Sequence, residues 1–130
     1  MSSREEIFQE RDYENSNRDI LKNTFIGNIT NPFERIALIE YKELLSRYIE
    51  EQSKLEKIQN KLFAIKDKKT LFKKLRTRAL QRKVQRRVKS VNSYDRKLLD
   101  KENSKHIVMI LMREKRKLER SKKATPRKLV

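Results

Sequence analysis

A chain of 130 residues has room for one small domain, and this one carries 35 Lys and Arg against 18 Asp and Glu, a net charge of +17. Hydrophobic residues make up only 35%, which excludes a large self-contained core and leads us to expect a partner that completes it. With no cysteine and a single histidine, His106, disulfide and thiolate chemistry are excluded, and neither a metal site nor a cofactor is expected.

The charge is unevenly placed. Residues 1–65 hold 10 basic and 12 acidic groups, whereas residues 66–130 hold 25 and 6. Such a division predicts two tasks, one half folding or pairing with protein and the other meeting a polyanion. The opening Met1 to Glu6 is mixed in charge, unlike the apolar stretch of a secretory signal or the acid-poor start of a mitochondrial presequence. The longest apolar run, Ile107 to Met112, is far short of the roughly 20 residues that span a bilayer. A soluble protein without membrane contact is therefore expected.

Gly27 is the only glycine and the prolines are Pro32 and Pro126, so residues 33–125 contain neither helix breaker and no tight hairpin signal. The predicted fold class is all-α, a long helix or coiled-coil segment followed by basic helices, with a flexible N-terminal arm and C-terminal tail. Residues 1–30, rich in Asn, Ser and acids, read as the loosely ordered arm, with a short helix near Asp19 to Phe25. At Asn31-Pro32-Phe33-Glu34 a helix start is predicted: Asn31 caps, Pro32 suits the first helical position, and Glu34 is placed to reach back in a capping box. The same residues include the Asn-Pro-Phe tripeptide that some endocytic adaptors recognise, but helix-start chemistry explains it.

Residues 31–65 form a coiled-coil-like helix in this reading. Tyr41, Tyr48, Leu55 and Leu62 occupy one heptad position, and Leu44, Glu51, Ile58 and Ile65 the other, with Ile36, Ala37, Leu45 and Ile49 broadening the stripe. This seam predicts a protein partner or a homodimer, or else the inner side of an intramolecular hairpin. Partner contact is expected at Tyr41, Leu44, Tyr48, Leu55, Ile58, Leu62 and Ile65.

Residues 66–91 read as a highly basic helix. Between 66 and 89 there are 12 basic residues and one acid, Asp67. Lys73, Lys74, Arg76, Arg78, Arg82, Lys83, Arg86, Arg87 and Lys89 are the predicted nucleic-acid contacts, since a dense cationic helix is ordered by phosphates that neutralise it. RNA is favoured over DNA, because zinc-finger ligands are absent and the heptads precede the basic run, the reverse of a basic zipper. Phe72 is the lone aromatic within the run, so base stacking is expected to be scarce.

Asn92, with Asp95 three residues on, is read as the cap of a last helix over 92–121. There Ile107, Ile110 and Leu111 are expected to meet a protein partner, and Arg113, Lys115, Arg116 and Lys117 to add nucleic-acid contacts. His106 reads as a helix-surface residue. Residues 122–130 read as a basic tail, in which Thr125 before Pro126 matches a proline-directed phosphorylation site. No phosphate-binding glycine loop, nucleophile elbow or metal-ligand pair is present, so no enzyme activity and no small-molecule substrate is expected.

The composition resembles that of small nuclear and nucleolar assembly factors. The expected function is a non-enzymatic nuclear scaffold that bridges protein and nucleic acid, with RNA in a ribosome-maturation or splicing particle preferred. The alternatives are a coiled-coil subunit of a chromatin, chromosome-segregation or DNA-maintenance complex, and a structural protein whose basic runs serve nuclear import or acidic protein surfaces.

Overall fold

The computed structural model describes residues 17–65 and 70–124, which are almost entirely helical and contain no strand among them. Among the described residues, a helix, α1, runs through 17–23. A single 3-10 turn, Ile26–Asn28, leads into α2 (Pro32–Phe63), followed by α3 (Leu71–Glu102) and α4 (Lys105–Ala124). No helix among the described residues is long and apolar enough to cross a membrane. The fold class is the all-α arrangement read from the sequence.

Local chemistry sets most of the boundaries. Asn31 caps α2 as expected, its Oδ1 accepting from the backbone N–H of Phe33 (2.9 Å) and Glu34 (3.4 Å). The Glu34 carboxylate, however, serves another purpose: it is buried and accepts from the Arg113 guanidinium. Thr70 caps α3, with its Oγ1 accepting from Lys73 N–H at 3.3 Å, and α3 starts at Leu71. Residues 66–69 lie outside the described residues.

The expected break at Asn92 is absent. Helix α3 runs unbroken through Asn92 and Ser93, both exposed, because Val91 and Leu98 on its opposite side are buried. Continuous burial of one face outweighs the weak local preference of an Asn for a cap. The chain breaks instead at Asn103-Ser104, where the Ser104 hydroxyl and N–H both bond back to the Lys101 carbonyl, at 2.6 and 3.0 Å. The helix expected over 92–121 is thus the end of α3 followed by α4.

The described residues fall into two compact units, those within 43–100 on one hand and 17–42 with 101–124 on the other. In the first, the later part of α2 and most of α3 form an antiparallel hairpin, joined by Arg87 Nη1 donating to Glu51 Oε2 at 3.0 Å. Its inner residues on α3 are Thr77, Leu80, Val84, Arg87, Val91, Tyr94 and Leu98, all buried or half-buried and alternating by three and four. That is the seam of an antiparallel coiled coil. On α2 the matching side is Leu45, Tyr48, Glu51, Leu55, Ile58 and Leu62, with Ile65 just past its end also half-buried. Leu45 is more deeply buried than Leu44, so the seam follows Leu45 at that point, correcting the heptad frame.

The second unit packs α1, the start of α2 and α4. Leu21, Ile29, Leu38, Tyr41, Ile107 and Ile110 are its buried apolar residues, each contributing roughly 1.5–3 kcal/mol when fully removed from water. Residues 17–30 are therefore not a loose arm, since Arg18, Leu21, Thr24 and Ile29 are all buried. Glu102 gathers the polar contacts here: its Oε1 accepts from Arg18 Nε at 2.9 Å and from the Tyr41 hydroxyl at 2.7 Å. Burial and the Glu102 carboxylate push the Tyr41 phenol well above its ordinary range. Arg35 holds the Ile29 carbonyl with two N–H groups, at 3.2 and 2.9 Å, fixing the entry to α2.

Candidate nucleic-acid interface

Helical geometry sorts the cations of α3 into two groups. With 100° between successive residues, Lys74, Arg78, Arg82, Arg86, Lys89 and Arg96 fall opposite the buried seam, and all six are exposed. From Lys74 to Arg96 the stripe is about 33 Å long at 1.5 Å rise per residue. None of the six has an ion-pair partner among the described residues. The sequence carries no carboxylate from Thr70 to Tyr94, and Asp100 is the acid that ends the stripe.

Arg96 was not among the residues expected here. It joins the stripe only because α3 continues through Asn92, and seven-residue spacing from Lys89 is the signal that points to it. Arg76 and Lys83 are also exposed but lie towards one flank, while Lys73 is half-buried.

Two of the expected contacts have structural work instead. Arg87 is half-buried and donates to both oxygens of Glu51, at 3.3 and 3.0 Å. Those hydrogen bonds hold the Glu51 carboxyl below the usual carboxylate range, against a smaller opposing effect of burial. Arg113 donates to the buried Glu34. A guanidinium that compensates a shielded carboxylate is not free to follow phosphates. Among the remaining cations of α4, Lys117 lies beside Glu114 at 3.2 Å, Lys115 is half-buried, and Arg116 is exposed. Thr125 lies outside the described residues.

The partner-contact residues divide similarly. Tyr41, Ile107 and Ile110 are enclosed within their own unit, so their apolar surface is already covered by this chain. Leu44, Tyr48, Leu55, Ile58, Leu62, Ile65 and Leu111 are half-buried. What the Ile107–Met112 run leaves uncovered is Val108, Met109 and Met112, all exposed. His106 is half-buried and stacks on Phe33, with ring centroids 6.1 Å apart, so it is an inter-helix contact and not a bare surface residue.

The geometry describes a convex cationic ridge on the outer side of a packed helical hairpin. A hydrophobic seam fixes the back of α3, and the Glu51–Arg87 pair ties it to α2, so the ridge cations share a defined direction. No family model, curated protein or solved structure matches the chain.

Proposed function

We propose that this chain is a non-enzymatic scaffold subunit that holds nucleic-acid phosphates along the outer ridge of α3 and meets protein through apolar side chains such as Val108, Met109 and Met112. RNA is the preferred polyanion, within a nuclear or nucleolar particle of ribosome maturation or splicing.

The observation that carries this reading is the contrast between the outer faces of α2 and α3. Along the stretch of α2 up to Lys54, outward cations are offset by acids one turn away, as in Glu43–Arg47 and Glu50–Lys54, and only Lys57 and Lys61 near its end face each other without one. On α3, Lys74, Arg78, Arg82 and Arg86 follow one another at four-residue spacing with nothing opposing them. Each such like-charge pair costs about 0.2–0.5 kcal/mol of helix stability. A face that accepts this repulsion over several turns gains most from a polyanion, and releasing condensed counterions supplies the driving force. Six phosphate contacts on a duplex give a salt exponent near −5 at about −0.9 per contact, or roughly a thousandfold loss between 50 and 200 mM salt.

Lysine acetylation footprinting tests the reading directly. Added RNA should protect Lys74 and Lys89, while Lys57 on the outer face of α2 stays reactive. If RNA protects neither lysine, the phosphate assignment fails. If duplex DNA protects both at lower concentration than RNA, the chromatin or DNA-maintenance alternative replaces the RNA particle.

A further inference from the structure

The loop end of the hairpin carries a second, different kind of surface. An open cavity of about 430 Å³ lies between the end of α2 and the start of α3, lined by Lys61, Ala64, Ile65, Phe72, Lys73 and Arg76. Three of these residues are cations and three are apolar, and among the described residues no carboxylate lines the cavity. None of the three cations has an ion-pair partner among the described residues. Phe72 is 72% exposed, so its ring is open to a ligand.

We infer that this cavity is a single-base site, in which an unpaired nucleobase stacks on the Phe72 ring while Lys61, Lys73 and Arg76 hold the phosphates on either side. This rests on the reading of the ridge as a phosphate-binding surface. The chemistry favours a base over an aliphatic side chain: the ring offers a π-face, and the charged groups that line the cavity among the described residues are all cations, which suits an aromatic group tethered to two anions. The volume is at the lower end of small-ligand cavities. Leu75, also exposed, stands on the surface between Phe72 and the ridge, so a strand leaving the ridge crosses apolar surface before its base enters the cavity. One aromatic is enough for one base, which changes the meaning of the solitary Phe72 in the basic run. The consequence is a preference for a single strand, or for a duplex with an unpaired end, over a continuous duplex.

The test is fluorescence anisotropy on the full chain with three probes: a labelled single strand, the same strand with one abasic nucleotide at each successive position in turn, and a continuous duplex. In the wild type, one abasic position should weaken binding about tenfold, the scale of a lost base–aromatic stack. Phe72→Leu should weaken single-strand binding by a similar factor, erase that abasic difference, and leave duplex affinity and the salt dependence unchanged. Because the abasic series is read on the wild type, the result does not depend on the variant's folding. If every abasic strand binds like the intact one, or Phe72→Leu is indifferent while ridge-dependent binding persists, the single-base site is refuted and the ridge reading stands. If the wild type binds neither strand nor duplex but captures an acidic, aromatic-containing peptide, both readings fall.

Discussion

Glutamate 102 is where the account of the unit around α1 and α4 is most exposed to test. Its Oε1 accepts from Arg18 and Tyr41, with side-chain exposures of 9% for Arg18 and 12% for Glu102. Tyr41→Phe removes one hydroxyl from a completely buried ring and leaves the Arg18–Glu102 pair intact. The loss should be about 1.5–2 kcal/mol, the scale of a hydrogen bond to a charged acceptor. Glu102→Gln keeps shape and volume but leaves a shielded guanidinium without that carboxylate, and the cost should be about 3 kcal/mol or more. Both values come from urea unfolding followed by circular dichroism at 222 nm, compared at constant slope. The ordering carries the argument: if Glu102→Gln costs less than Tyr41→Phe, the carboxylate is not the centre of the cluster.

Three further outcomes follow from named groups. Because the Glu51 carboxyl is held below its ordinary value in the folded chain, the unfolded state binds more protons in acid. The stability from the Arg87 pair is thus present above about pH 4.3 and lost as pH falls below it. Thermal unfolding from pH 7 to 3 should show this loss, and Glu51→Gln should reduce it; an unchanged acid profile would contradict the pairing. Asn31→Ala should cost about 1 kcal/mol, as removal of a working cap does. Asn92→Ala, at an exposed mid-helix position, should leave stability unchanged or slightly raised, and a loss as large as that at Asn31 would restore a helix start there.

What could be read from the residues, and what could not, follows the range of the interactions. The start of α2 was legible because Asn31, Pro32 and the following N–H groups settle it among themselves. The end of α3 was not, since Asn92 looks like a cap until Val91 and Leu98 are seen to keep one face buried across it. The heptads of α2 announced a partner but not whose, because a seam reads alike whether the second helix is in the same chain or another. Arg87 and Arg113 were likewise indistinguishable from their neighbours by type. Their assignment depends on Glu51 and Glu34, which are 36 and 79 residues away in sequence. Arg96 was missed for the same reason as the continuity of α3.

The central claim, that the exposed ridge of α3 is a phosphate-binding surface, is tested most directly by counting the contacts it makes. The slope of log affinity against log salt on a single strand changes by about 0.7 for each phosphate contact. Replacing Arg78, Arg82, Arg86 and Lys89 together by Gln should therefore flatten the slope by about 3. Replacing Arg47 and Lys57, on the outer face of α2, should leave it unchanged. A slope that survives the fourfold change, or that falls as much with the α2 pair, would contradict the account.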